Sequence, residues 1–267
     1  MKKLRKFMLI SGLAIASLCQ FAAWAEEAPS PFSGKVTLIS EYEYRGIGQT
    51  AEKPALQLNL DYSHSSGLYA GTFLSNISWL KDTADVSGFK SNANLEWDLF
   101  AGYKYKLADT VVDLGYLRYE YPSSSEFKTN PYSPYVSPNT DEIYAGLTYR
   151  AFNFKYSHST STLFGVPGSK GSGFYEVNFS SEIMPKLTLA LHVGHQKYAG
   201  AQRLGNNTLF NNSNFDYTVW RAGLTYDLHG WLLSAYAKGT DADSTYFTLK
   251  DKDQSRDRFV VSVARPF

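Results

Sequence analysis

Stretches of about ten residues in which polar and apolar side chains alternate recur along this chain. No other feature constrains its fold as much. The clearest is Leu95–Tyr105, "LEWDLFAGYKY". Leu95, Trp97, Leu99, Ala101, Tyr103 and Tyr105 share one parity; Glu96, Asp98, Gly102 and Lys104 share the other, with Phe100 the one interruption. A period of two is the signature of an extended strand with two unlike faces. "TVWRAGLTY" repeats it, with Thr218, Trp220, Ala222, Leu224 and Tyr226 against Arg221, Gly223 and Thr225. So does "IYAGLTY", with Ile143, Ala145, Leu147 and Tyr149 on its apolar side.

Twelve such segments are predicted, at 34–45, 55–65, 67–78, 94–106, 109–121, 140–150, 152–161, 173–183, 185–197, 215–228, 230–241 and 256–267. Their connectors alternate in length. Long ones cover 46–54, 79–93, 122–139, 162–172, 198–214 and 242–255; short ones sit at Ser65–Gly67, Leu107–Asp109, Arg150–Ala151, Ile183–Pro185 and Leu228–Gly230. An even number of strands with long loops at one end and tight turns at the other is the rhythm of an outer-membrane barrel. Lipid offers no partner to an open strand edge, so twelve such strands must close on themselves. The expected fold is all-β, an antiparallel up-and-down transmembrane β-barrel. It forms one domain over residues 26–267.

The ends agree with export. Lys2, Lys3, Arg5 and Lys6 precede an apolar run from Phe7 to about Cys19, and Ala23-Trp24-Ala25 has the small-x-small form of a signal-peptidase site. Residues 1–25 read as a cleaved signal peptide, which places the mature chain in the outer membrane of a Gram-negative bacterium. Its removal takes away Cys19, the one cysteine, so the exported chain uses no disulfide. It also leaves 22 basic against 25 acidic residues. Nothing in that balance suggests a nucleic-acid partner. Twenty Tyr, 17 Phe and 5 Trp are many aromatics for an overall polar chain, as interfacial girdles require.

Parity then assigns the lumen. The inward set is Lys35, Glu41, Glu43, Arg45, Asp61, Glu96, Asp98, Lys104, Asp113, Lys155, Glu176, Arg221, Lys238 and Arg258. Seven acids balance seven bases. Such a lumen is either zipped shut by ion pairs or carries segregated charge that orients a solute. Twelve strands lie between barrels filled by side chains and open porins. The expected function is a narrow charged channel for passive diffusion of small hydrophilic solutes. The alternative is a closed barrel whose loops bind a partner. In "SEYEYRGIGQT" (Ser40–Thr50), Glu41, Glu43 and Arg45 should face the lumen mouth, with Glu43 and Arg45 placed to pair. Tyr42 and Tyr44 should join the outward aromatic girdle, and Gly46 should let the chain leave the wall. The ending "RFVVSVARPF" puts Phe259, Val261, Val263 and Phe267 on one face, a signal for the barrel-assembly machinery. Membrane lipid and lipopolysaccharide are the remaining expected partners.

No catalytic signature appears: no H-E-x-x-H, G-x-S-x-G or Walker loop. "GSKGSG" (Gly168–Gly173) has no following helix and reads as a flexible outer loop. His192 and His195, three apart, fall on opposite strand faces and make no metal pair. No metal, cofactor or enzymatic activity is expected.

The chain resembles the TorF family of proteobacterial porins. The likeness is carried by Ser40-x-Tyr42-x-x-Arg45-Gly46-x-x-Gln49 and by "PALQLNLDYSHSSGLYAGTFLSNI", with Asp61-Tyr62, Gly67, Tyr69, Gly71, Ser75 and Asn76 in place. "EWDLFAGY", "DLGYLRYEYP" and the ending "DRFVVSVARPF" extend it. Pro266 departs from the small polar residue usual before the final Phe. The resemblance implies an outer-membrane barrel and transport, without naming a solute.

Overall fold

The computed structural model of the chain describes residues 30–130, 133–203 and 208–267. The predicted signal peptide, with Cys19, lies outside these residues.

Twelve strands form the wall: β1 (Phe32–Ile39), β2 (Ala55–Ser63), β3 (Leu68–Asn76), β4 (Leu95–Leu107), β5 (Thr110–Glu120) and β6 (Thr140–Tyr149), then β7 (Phe152–Ser159), β8 (Gly173–Met184), β9 (Leu187–Lys197), β10 (Tyr217–Leu228), β11 (Trp231–Thr240) and β12 (Arg258–Pro266). Each pairs antiparallel with its neighbours in sequence, and β1 pairs with β12 to close a barrel. The seam runs from Lys35↔Pro266 to Ile39↔Ser262. Beyond it, Gly34 and Phe267 exchange two backbone hydrogen bonds of 2.9 Å. The short connectors are tight because their first or second residue takes a left-handed conformation: Ala108, Arg150, Lys186 and His229 have φ of 52–65°. Left-handed turn residues match the twist of the flanking strands.

The two wall faces differ as the alternation requires. Leu56, Leu60, Trp97, Leu114, Trp220 and Phe259 stand exposed on the outside. Asp61, Glu96, Asp98, Glu176 and Lys238 are buried on the inside. Eleven predicted strand spans agree with the wall to within a few residues. The first does not: β1 ends at Ile39, not near Arg45, and Ser40 makes the last backbone contact, to Val261.

Much of the two buried apolar clusters sits at the long-loop end. One gathers Ile77, Leu80, Ala84, Ala93, Phe127 and Tyr121. Leu80 and Ala84 project from α1 (Trp79–Val86), a helix in the β3–β4 loop. The other gathers Leu163, Val166, Tyr198 and Tyr217. These loops therefore cap the barrel. "GSKGSG" belongs to the cap and is not a free loop: Ser169 is fully buried and donates to the Val166 carbonyl at 2.6 Å.

A loop across the lumen as candidate functional site

Residues 40–54 fold into the barrel. Glu43 and Tyr44 pair with Gly48 and Ile47 in a small hairpin. Its two-residue tip is Arg45-Gly46, with φ of 46° and 82°. Two successive left-handed residues make the turn type that favours glycine second. Gly46 also passes so close to the wall that a Cβ there would lie 2.5 Å from Val219 Cγ2.

Extended chain throws alternate side chains to opposite sides. Here both sides are lumen. Glu41 meets Arg258 of β12 at 3.2 Å, and Glu43 meets Arg221 of β10 at 2.9 Å. Tyr42 turns the other way, donates its hydroxyl to Glu96 of β4 and packs on Phe73 at 5.8 Å. Tyr44 bonds the Tyr119 hydroxyl of β5 and lies edge-on to Tyr119 and Phe164. At the tip, Arg45 reaches the far wall. It donates two parallel hydrogen bonds to Glu142 of β6, at 2.9 and 2.8 Å, and one to Gln196 of β9 at 3.0 Å. The Phe174 ring supports its guanidinium at 4.4 Å. Phe174 can lie flat because Gly194 is beneath it: a Cβ there would come 2.3 Å from the ring.

Two expectations are corrected. Tyr42 and Tyr44 are not in an outward girdle; Tyr42 is 5% exposed and faces inward. Glu43 and Arg45 do not pair with each other, since their side chains reach different walls. From Glu41 to Arg45, each hydroxyl and charge has a partner across the lumen that an outward placement would have removed.

The other predicted lumen residues sit on the inward wall. Lys238 is 1% exposed and spends its ammonium on backbone carbonyls, Gly46 at 2.7 Å and Arg256 at 2.6 Å. It ties the hairpin tip to the β11–β12 loop. Glu96 accepts from Tyr42 and from Tyr121, the latter at 2.9 Å. Asp98 beside it is fully buried, and no protein donor reaches either oxygen. Lower down, toward the short turns, Lys104 and Lys155 lie over the rings of Tyr69 and Tyr144 at 4.6 and 4.2 Å. Tyr69 donates to Asp113 at 2.6 Å. Asp61 and Lys35 also line this lower half, where most side chains keep partial exposure. Glu142, Gln196 and Tyr119 were absent from the predicted set. The parity that puts Ile143 outside puts Glu142 inside, so that signal was present.

In the long-loop half of the lumen the wall charges are segregated. In the ring of twelve, β10, β11 and β12 stand opposite β4, β5 and β6. The first trio carries Arg221, Lys238 and Arg258. The second carries Glu96, Asp98 and Glu142, with Tyr119 between them. His192 bonds Asn178 inside the barrel, whereas His195 bonds Thr218 outside it. Among the described residues no cluster of three or more His, Cys, Asp or Glu is placed to hold a metal.

Phe259, Val261, Val263 and Phe267 form one outward row on β12 and its end, interrupted at Arg265. Arg265 turns back to the His229 carbonyl at 3.1 Å.

A family model for a "bacterial protein of unknown function (Gcw_chp)" matches residues 23–267. The chain belongs to the Gcw_chp family. The match carries that description and not the TorF label expected from the sequence. No curated protein matches the chain. Solved structures do. The KdgM porin superposes with a TM-score of 0.53 at 9% identity, covering 88% of this chain and 99% of that one. The KdgM porin in complex with disordered oligogalacturonate gives 0.50 at 8% identity, covering 88% and 98%. The NanC porin gives 0.48 at 12% identity, covering 87% and 97%. At these identities the likeness to the KdgM porin shows a shared fold for this Gcw_chp chain and no more.

Proposed function

We propose that this protein is an outer-membrane channel through which small hydrophilic solutes diffuse, and that residues 40–54 are its internal gate. The barrel's exposed belt of Leu, Trp, Phe and Tyr needs an apolar solvent, because water-soluble monomers rarely expose such a continuous surface. Its charged interior needs water or counter-charge. The fold shared with porins and the TorF resemblance support the same reading, with transport and not catalysis as the role. Leader removal, barrel assembly through the β12 row and contact with lipopolysaccharide follow from that location.

One observation carries the gate: the hairpin crosses the lumen and touches β4, β5, β6, β9, β10 and β12. In this conformation its charges seal the long-loop half. Conduction therefore requires the hairpin to move. The same seal favours a second reading, a permanently closed barrel that acts through its cap loops.

Planar-bilayer recording separates them. Replacing Glu43–Gln49 with two glycines should convert rare openings into a steady conductance. A shortened barrel that still shows heat-modifiable gel mobility yet never conducts would establish the closed barrel instead.

A further inference from the structure

The gate hairpin is an unusual plug, because it presents ionic groups in an order that matches the walls. Its carboxylates, Glu41 and Glu43, lie on Arg258 and Arg221; its guanidinium, Arg45, lies on Glu142. An inert plug would need only bulk. This one supplies anion to the basic wall and cation to the acidic wall, across the full width of the lumen. The acidic wall is not fully answered, however. Glu96 receives only tyrosine hydroxyls, and Asp98, at 0% exposure, has no donor on either oxygen while facing the same space. Phe73 and Tyr119 are the cross-strand partners of Asp98 on its two sides, and Tyr42 packs on Phe73; aromatic faces favour cations.

We propose that the long-loop half of the lumen is a binding site for a small zwitterionic solute, and that residues 41–45 occupy it as an internal surrogate. The solute's anionic group would sit on Arg221 and Arg258 and its ammonium group on Asp98, Glu96 and Glu142. The surrogate sets the scale. Glu43 and Arg45 are two residues apart, about 7 Å along an extended chain, and each side chain adds reach. The two charges of the solute are therefore separated as at the ends of a short peptide, not as in a single α-amino acid. Displacement needs both ends: an anion competes only with Glu43 and leaves Arg45 docked, and a cation does the reverse. The inference rests on the channel reading above.

Flux of isotope-labelled triglycine into liposomes holding the full-length mature protein tests it. The comparison solutes are its N-acetylated form (anion), its C-terminal amide (cation) and the doubly blocked peptide (neutral). Triglycine should enter about tenfold faster than any of the three. In Asp98→Asn and Arg221→Gln, each checked for folding by heat-modifiable mobility, the triglycine-to-neutral ratio should fall to about one. Equal entry of triglycine and the neutral peptide in the wild type would overturn the zwitterion site and leave the channel standing. A ratio that stays high in both variants would overturn the assignment of these residues. No flux of any peptide, together with silence of the Gly-Gly gate variant in bilayers, would instead overturn the channel.

Discussion

Residues 40–45 and 95–105 have the same alternating pattern and opposite fates. In β4 the apolar parity, Trp97 at 39% exposure and Leu99 at 41%, faces outward, while Glu96 and Asp98 are sealed inside. In the lumen hairpin, Tyr42 and Glu41 point in opposite directions and are both 5% exposed. Alternation states that a segment is extended with unlike sides. It does not state what lies beyond each side. A β4 side chain divides the barrel's outer surface from its lumen. A side chain of the lumen hairpin divides the acidic wall from the basic wall. An aromatic with a hydroxyl suits either setting, because its ring tolerates lipid or packing and its tip needs one partner.

Three experiments would break or sharpen that contrast. The largest effect should come from Arg45→Ala. It strands Glu142 in a dry site, and breaking one side of a buried pair typically costs about 3–5 kcal/mol. In the mature chain carrying Ile47→Cys, a water-soluble maleimide should label the hairpin at least about 100-fold faster once Arg45 is gone. Unchanged labelling would mean that the aromatic contacts of Tyr44 hold the gate without the ion pair.

Placing one charge in each region comes next. Ala101→Arg, on the outward face of β4, should cost about 2–4 kcal/mol in a urea titration of the refolded barrel. Tyr42→Arg sets the same group beside Glu96 and Asp98 and should leave the midpoint nearly unmoved. If both variants lose equal stability, the two stretches are not in different solvents.

The smallest effect concerns the cap. Lys250 meets Asp82 at 2.8 Å and Asp85 at 2.5 Å, joining α1 to the β11–β12 loop. The hydrogen bond from Lys250 holds Asp85 below the usual aspartate range, and the two aspartates raise Lys250 above the usual lysine range. A depressed acid contributes stability above its ordinary pKa that is lost as pH falls through the lowered value. A raised base contributes stability below its ordinary pKa that is lost as pH rises through the raised value. Docking of α1 should therefore hold across the neutral range and loosen below about pH 3.9. Amide exchange at Leu80 and Ala84 should show this modest change, and Lys250→Ala should remove the pH dependence. The lumen hairpin should not respond to Lys250→Ala, because its ion pairs are elsewhere.

Much of this molecule was legible in the chain. Eleven strand positions, the long-and-short loop rhythm and the inward parity of Asp61, Glu96, Lys155, Arg221 and Arg258 all follow from the period-two pattern. That pattern is legible because every wall residue meets one of two very different solvents, so its identity records its direction. The Ser40–Thr50 segment was misplaced for the complementary reason. Its neighbours are other parts of the protein on all sides, and their identities depend on which strands the closed ring sets opposite one another.

The sequence by itself therefore determined the strands, their faces, the alternating loops and the excess of charge inside. Only the tertiary structure decided that Arg221 and Arg258 stand across from Glu96, Asp98 and Glu142, and that the first long loop folds between them. Alternation is a local property, fixed by backbone geometry and the nearest solvent. Opposition across a barrel appears only on closure, when β1 meets β12 and residues about a hundred or more positions apart come within reach of one hairpin.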